Sequence, residues 1–440
     1  MRPGGLIVAA PASGSGKTLL TLGLVRHLVR RGLSVAAAKA GPDYLDPTFH
    51  AAASGRACLN LDLWAMREAT LASLVGGLEE GADIVLCEGA MGLFDGAGAD
   101  GEAGSTASLA RALGWPVILV VDARGQGASI AALLRGFALH GEGVPLAGVV
   151  FNRVAGERHA ALLASAVARH LPLLACLGAL PADPALAMPS RHLGLVAAGE
   201  IADAEALCER AAAQVGRFLD IDRLIGLARP AALPPAAAAS PPVPALGGRI
   251  AVARDAAFAF LYPAILEGWR RQGAALAFFS PLAGEPPDPS ADAVFLPGGY
   301  PELHAGWLAA AHAFLAGLRR AAGEGKPVYG ECGGYMVLGE SLIDADGRAH
   351  PMAGLLPLAT SFAEKKRLLG YREVGLTQAG PLGPRGAVYR GHEFHYAAVV
   401  REKGADSLFR ASDAAGRGLG PAGLRRGNVA GSFVHLIDRR

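Results

Sequence analysis

Short apolar runs alternate along the first half of the chain with longer stretches in which apolar residues recur at helical spacing. Residues 6–10, 34–38, 84–87, 116–121 and 146–151 read as strands, and residues 17–30 and 106–113 read as helices between them. That βαβα order predicts a mostly parallel sheet. The alternation stops at residues 229–248, where proline and alanine dominate. Prolines lack ladder donors and favour extended backbone, so this stretch reads as a semi-rigid spacer. Beyond it the alternation restarts, with strands expected at residues 250–254, 275–279, 293–296 and 328–330 and helices at 262–272 and 307–322. The expected fold is α/β in two domains, residues 1–228 and 249–440, with no repeat at solenoid periods.

Composition supports this division. A chain of 440 residues exceeds one ordinary core, and 52% hydrophobic against 18% charged residues leaves core formation unlimited. No apolar run is long enough for a membrane span, and Met1-Arg2-Pro3-Gly4-Gly5 leads into the first strand without the apolar stretch of a secretory leader. A net charge of +2 without a long basic run argues against nucleic acid as partner. Five scattered cysteines, lacking metal-type spacing, suit a reducing cytoplasm better than a disulfide framework. A homodimer is an alternative to a monomer for such a chain.

Ser13-Gly14-Ser15-Gly16-Lys17-Thr18 follows the first strand and opens the first helix. There, backbone N–H groups wrap phosphate oxygens, Lys17 reaches the outer phosphates and Thr18 is placed to ligate Mg²⁺. Pro11 stands where the strict pattern has glycine, so the loop is a variant; a plain glycine-rich turn is the competing reading. Acidic loops follow neighbouring strands: Glu88 occupies the usual aspartate's place, Asp95 lies in the glycine-rich stretch after it, and Lys39, Asp43 and Asp46 follow the second strand. Loops at the C-terminal ends of parallel strands converge, so these groups are expected to share one crevice. A solvated loop carboxylate is the alternative for any one of them. Asn152 ends a later strand, where an amide pairs with a purine edge.

In the second half, Gly330-Glu331-Cys332-Gly333-Gly334 has the spacing of a nucleophile elbow with sulfur in place of oxygen. A helix N-terminus favours thiolate at such a position. A small buried cysteine beside glycines is the alternative.

These strings together, in this order, resemble the cobyrinic/hydrogenobyrinic acid a,c-diamide synthase family over nearly the whole chain. The matching segments include A-P-A-S-G-S-G-K-T, G-P-D-Y-L-D-P at 41–47, E-G-A-M-G-L-F-D-G at 88–96 and R-H-L-G-L at 191–195. They continue with P-G-G-Y-P-E-L-H at 297–304, G-E-C-G-G-Y-M at 330–336, L-G-Y-R-E at 369–373, G-H-E-F-H-Y at 391–396 and G-S-F-V-H at 431–435. The resemblance implies a dethiobiotin-synthetase-like ATP domain joined to a class I glutamine amidotransferase domain. It implies ATP and L-glutamine as co-substrates, Mg²⁺, and a corrin-ring polycarboxylate amidated at its a and c acetates through acyl phosphates. Cys332 becomes the nucleophile and His435 its base, ranked above His304, His350, His392 and His395 by the family motif. The N–H groups of Gly333 and of the turn containing Gly299 become the oxyanion site. Ile437 stands where many class I enzymes carry a glutamate that orients the histidine, so what fixes the imidazole tautomer is open. Asp43 and Glu88 join Thr18 as metal ligands, while Asp43, Tyr44, Asp46 and Asp95 handle the carboxyl and acyl phosphate. Lys365, Lys366, Arg367, Arg372 and His395 are candidates to bind the polyacidic ring, a solvated charged face being the alternative. Hydrogenobyrinic acid without cobalt is expected, and cobyrinic acid with it is the close alternative. Competing readings are an amidoligase for another acidic tetrapyrrole such as nickel-sirohydrochlorin, and a partition-type ATPase fused to a degenerate amidotransferase module. The latter usually carries an early extra lysine, and here that place is Ala12.

Overall fold

The computed structural model describes residues 2–98, 101–188, 190–191, 194–195, 203–233, 240–364 and 367–440. They form two compact units, Met1–Trp64 with Glu68–Ala239, and Ala65–Arg67 with Ser240–Arg440. Among the described residues no helix is long and apolar enough to cross a membrane.

The first unit opens with β1 (Gly4–Ala9), α1 (Lys17–Arg30), β2 (Val35–Ala40), α2 (Asp46–Ser54), β3 (Leu59–Leu61), α3 (Glu68–Glu79) and β4 (Ile84–Glu88). It continues through α4 (Thr106–Leu113), β5 (Val117–Asp122), α5 (Ile130–His140), β6 (Leu146–Val154), α6 (Glu157–His170) and β7 (Ala175–Pro181). A short hairpin, β8 (Ser190–Arg191) with β9 (Gly194–Leu195), precedes α7 (Ala204–Phe218) and α8 (Ile221–Leu227). Its sheet has seven parallel strands in the order β3-β2-β4-β1-β5-β6-β7. The interior strands are buried on both faces, which is why they read as continuous apolar runs. Leu20, Leu24, Val25 and Leu28 of α1 pack in one core with Ala211 and Val215 of α7. Register explains how the site assembles: Lys39 pairs with Glu88, and Val8, just before the phosphate loop, pairs with the same Glu88. The C-terminal strand ends therefore deliver both side chains beside the loop.

The second unit runs β10 (Arg249–Ala253), α9 (Pro263–Arg271), β11 (Ala275–Phe279), β12 (Ala293–Leu296), α10 (Ala305–Ala310), α11 (His312–Gly323), β13 (Val328–Glu331) and α12 (Gly333–Leu338). A largely β segment follows: β14 (Ser341–Ile343), β15 (Ala349–Pro351), β16 (Leu358–Ser361), β17 (Leu368–Leu376), β18 (Val388–His395) and β19 (Ala398–Glu402). β20 (Asp406–Asp413), β21 (Gly418–Arg426), β22 (Val429–Ser432) and β23 (Val434–Arg439) finish the chain. The main sheet is ten-stranded, in the order β11-β10-β12-β13-β22-β21-β20-β17-β18-β23. Its first five strands are parallel and the remainder antiparallel. β15-β14-β16-β19 make a smaller sheet.

Two expectations change. The helix expected at 307–322 is two helices broken at Ala311 (φ −75°, ψ 66°). The break brings Leu308 and Phe314 into one core, whereas six positions apart on a straight helix they would diverge by roughly 120°. The flanks of the proline-rich stretch are held by their own units. Gly5 and Arg229 exchange backbone bonds of 2.7 and 3.2 Å, and Trp269 Nε1 donates to Pro244 O at 3.0 Å. Residues 234–239, the centre of the expected spacer, lie outside the described residues.

Candidate phosphate and thiol sites

At the end of β1, Gly16 adopts φ 101°, a left-handed conformation that favours glycine, and starts α1 directly. Lys17 is buried and donates to Met91 O at 2.6 Å. Burial, then Lys39, lowers its pKa, while Glu88, Asp46 and Asp95 oppose that shift. Thr18 Oγ1 donates to Glu88 Oε1 at 2.7 Å. Ser15 is buried and donates to Ala12 O, whereas Ser13 and Gly14 are exposed.

Glu88 is the hub. Besides Thr18 it meets Lys39 Nζ at 3.0 Å and His50 Nε2 at 2.5 Å, all in the interior. Burial opposes its charge, yet Lys39, His50 and Thr18 hold its carboxyl below the usual range. Lys39 also donates to Asp46 Oδ2 at 2.6 Å. Burial works against the ammonium, but Asp46, Glu88 and Asp43 more than offset it and raise its pKa. Asp46 moves the other way from an ordinary ion-paired acid: burial raises its carboxyl against the pull of Lys39, with Glu88 adding to the rise. Two buried acids thus share one ammonium, and the second retains a proton more readily.

The structure brings Lys17, Thr18, Lys39, Asp46 and Glu88 together as expected. Asp43 is directed locally, its Oδ1 accepting from Leu45 N and Asp46 N at 2.7 and 3.1 Å; Tyr44 beside it is half-buried. Asp95 is exposed and accepts from Gly92 N at 2.8 Å. Asn152 Nδ2 donates to Ser15 O at 2.9 Å, so its amide braces the phosphate loop. Arg153, at φ 60°, adds a bond to Gly14 O at 2.8 Å. Sequence reasoning missed His50, Met91 and Arg153. The signal for His50 was available, because it stands four residues after Asp46 and therefore on the same face of α2. No group of three or more metal-ligating side chains occurs among the described residues. Thr18 and Glu88 nevertheless supply adjacent oxygen donors of the kind Mg²⁺ accepts from a protein alongside phosphate oxygens and water.

In the second unit, β13 delivers the chain into a turn at Cys332 with φ 47° and ψ −105°, and α12 begins at the next residue. That strained conformation is what an elbow requires. Only Phe433 separates β22 from β23, and Ser432 is in register with Glu331, so His435 arrives beside Cys332. Gly298 lies between them. A Cβ there would sit 2.3 Å from His435 Cε1, 3.1 Å from Nε2 and 3.3 Å from Cys332 Cβ, so any side chain would occupy the reaction space. A Cβ on Gly333 would come within 3.0 Å of Gly299 N, which puts the two expected oxyanion donors side by side.

The expected thiolate is not the resting state. Cys332 is 2% exposed, and burial, followed by Glu302, raises its thiol well above the usual value despite the Gly333 N–H. α12 is one short helix, and desolvation outweighs what its N-terminus offers. His435 is fully buried, and burial, then His392 and His395, lowers its pKa. The pair rests as neutral thiol and neutral imidazole.

Arg372 and His395 lie in this unit, not free toward a ligand but engaged with Glu393. Arg372 Nε donates to Glu393 Oε2 at 2.6 Å, and His395 Nε2 lies 3.1 Å from Oε1. The His395 ring stacks on Phe433 at 3.9 Å, and Phe394 O lies 3.8 Å from Cys332 Sγ. The network therefore borders the thiol. Among rival bases, His350 pairs with Asp344 at 2.7 Å. Lys365, Lys366 and part of the R-H-L-G-L segment (His192, Leu193) lie outside the described residues.

A phosphate-binding loop with a carboxylate hub in one α/β unit, and a cysteine elbow facing a histidine in another, define a nucleotide-dependent glutamine amidotransferase class. Residues 6–196 match the family described as CobQ/CobB/MinD/ParA nucleotide binding domain, and residues 249–440 match the CobB/CobQ-like glutamine amidotransferase domain. Hydrogenobyrinate a,c-diamide synthase of Rhizobium meliloti (strain 1021) is 55% identical over 99% of both chains. The proteins of that name from Brucella anthropi and Rhodobacter capsulatus are each 54% identical, over 99% of this chain and 98% and 99% of theirs. The chain belongs to the hydrogenobyrinate a,c-diamide synthase family.

Proposed function

We propose that this protein uses ATP and glutamine to convert the a and c acetate carboxylates of hydrogenobyrinate into amides. The observation that carries this reading is the near-full-length match to relatives named for that reaction. A carboxylate resists ammonia because oxide is not a usable leaving group, and phosphorylation supplies a better one. Lys17 and the loop N–H groups of residues 13–18 bind the transferring phosphoryl, neutralising charge as two anions approach. Mg²⁺ held by Thr18 and Glu88 would add cationic charge at the phosphates. Asp46, whose carboxyl keeps its proton readily, and Asp95 are assigned to steer the acetate and acyl phosphate, with Asp43 and Tyr44 shaping the loop that presents them. Cys332 attacks the glutamine amide after His435 takes its proton, and the Gly299 and Gly333 N–H groups receive the oxyanion. Arg372 and His395, through Glu393, are assigned to the walls of this thiol site and no longer to the ring. Five cysteines present as free thiols support a reducing cytoplasm as the compartment.

The test is product mass. Purified protein with hydrogenobyrinate, ATP, Mg²⁺ and glutamine should yield two successive amidations. No mass change with that ring, but amidation of cobyrinate or a nickel tetrapyrrole, overturns the substrate assignment.

A further inference from the structure

Ile437 occupies the place from which a glutamate would orient His435, yet a buried carboxyl at the end of β13 stands beside the same imidazole. Glu331, the last residue of β13, lies with Oε2 3.9 Å from His435 Nδ1. Its other oxygen is fixed: Oε1 accepts from Tyr329 OH at 3.1 Å and from Leu436 N at 3.2 Å. The opposite edge of the ring, Cε1 and Nε2, faces Gly298 and the cysteine. Carboxyl, imidazole and thiol therefore stand in the sequence that a nucleophile, base and orienter require. A long apo separation is common at such sites and tightens when substrate binds.

We infer that Glu331 is the positioning residue for His435, its carboxylate accepting the Nδ1–H so that Nε2 is left to receive the Cys332 proton. The inference rests on the glutaminase reading above. The proton balance is simple: S–H breaks, Nε2–H forms, and the resulting imidazolium directs its Nδ1–H at Glu331 while sulfur attacks the amide carbon. The protonation state of Glu331 decides the tautomer. Ionised, it accepts from Nδ1 and leaves Nε2 as base. Protonated, it donates to Nδ1, places the ring proton on Nε2 and disables the base.

Burial pushes the Glu331 carboxyl up to about 8, with Leu436 N–H and Tyr329 OH pulling the other way. The ionisable groups facing His435 are His392, His395 and Glu331, and Cys332 is further faced by Glu302 and Glu393. Ionisation of Glu331 therefore makes glutamine hydrolysis rise with pH through about 8.

The experiment compares Glu331→Gln, Tyr329→Phe and Cys332→Ser with wild type in glutamate release, ammonia-dependent amidation and pH profile. In Glu331→Gln the two donors keep the amide oxygen at the Oε1 position, so the NH₂ faces Nδ1 and enforces the wrong tautomer. The expected loss in kcat is about 10²- to 10⁴-fold, the upper end being the cost of the wrong tautomer in a Ser-His-Asp triad. KM for glutamine should hold, and the alkaline rise should disappear. Tyr329→Phe removes a donor that favours the carboxylate, so the rise should move to higher pH; this variant decides the matter if Glu331→Gln does not fold. Wild-type kcat and an unchanged profile in Glu331→Gln, or an unmoved rise in Tyr329→Phe, overturn the inference while Cys332→Ser stays inactive. Glutamate release persisting in Cys332→Ser instead overturns the glutaminase reading itself.

Discussion

At the end of β4, Glu88 is buried among Lys39, His50 and Thr18 and stays ionised; at the end of β13, Glu331 is equally buried among neutral groups and tends to keep its proton. Both acids close a parallel strand at the point where functional loops emerge. Desolvation acts on both, and it prevails only where no cation stands beside the carboxylate. The phosphate centre can therefore hold charge in readiness for an anionic partner. The thiol centre, apart from the Arg372–Glu393 pair at its border, carries none while Glu331 keeps its proton. An acid-activating reaction needs the first condition, because two anions must meet. Amide hydrolysis by a buried cysteine tolerates the second, because once Glu331 has ionised the thiolate and imidazolium charges arise together.

The sharpest break between the two regions is chemical. Cys332→Ser should lower glutamine-dependent amidation by about 10⁴-fold or more while ammonia still supports the reaction. Equal loss with both nitrogen sources would refute the division of labour. Lys17→Ala should lower amidation roughly 10³-fold with either source, the scale of removing a fixed cation from a transferring phosphoryl group. Glutamate release assayed without ATP is the control, and an undiminished ATP-dependent rate would refute the phosphate assignment.

Stability separates the regions with opposite signs. Glu88→Ala leaves Lys39 beside Asp46 alone and His50 without its carboxylate, so denaturant unfolding should show a loss of about 3–5 kcal/mol. Glu331→Gln should do the reverse at alkaline pH. The folded carboxyl titrates at about 8 against 4.5 in the unfolded chain, so over that interval the folded form holds a proton the unfolded form has released. Stability then falls as pH rises from 4.5 to 8 and is flat above, and the neutral amide escapes this. The variant should gain on wild type by about 2 kcal/mol or more between pH 5 and pH 8. An identical pH dependence in both proteins would show that Glu331 does not titrate as described.

How far the sequence reveals each region follows the same physics. Parallel strands buried on both faces leave continuous apolar runs, so β1, β4, β5 and β12 stand out, and the loops at their ends carry recognisable glycine strings. β17 to β21 do not stand out. They are half-exposed antiparallel strands, such as β21 with glycines, a proline and arginines, whose composition hides the strand even though its partners β20 and β22 are its neighbours in the chain. Lys17, Thr18, Glu88, Cys332 and His435 are legible because short motifs hold them. His50 and Glu331 are less so, since each acts through a partner far along the chain and each has an ordinary structural reading in isolation. Charge state is less legible still. The elbow at Cys332 suggests a thiolate, and only the packed surroundings reverse that.

Asn152 offers the mildest probe of the charged region. Its amide is buried, lies in the strand next to β5 and donates to Ser15 O, so it shapes the loop without touching the cation cluster. Asn152→Ala leaves that carbonyl without this donor and frees space beside Gly16, while Arg153 still holds Gly14 O. Loss of one such bond is worth about 1 kcal/mol, which corresponds to an increase of roughly 5-fold in KM for ATP. Glutamate release should not change, because Cys332, His435 and Gly298 belong to the other unit. A purine-reading amide would behave differently. The variant would then lose its preference for ATP over GTP, whereas a loop brace weakens both nucleotides alike; comparing the two KM ratios decides between them.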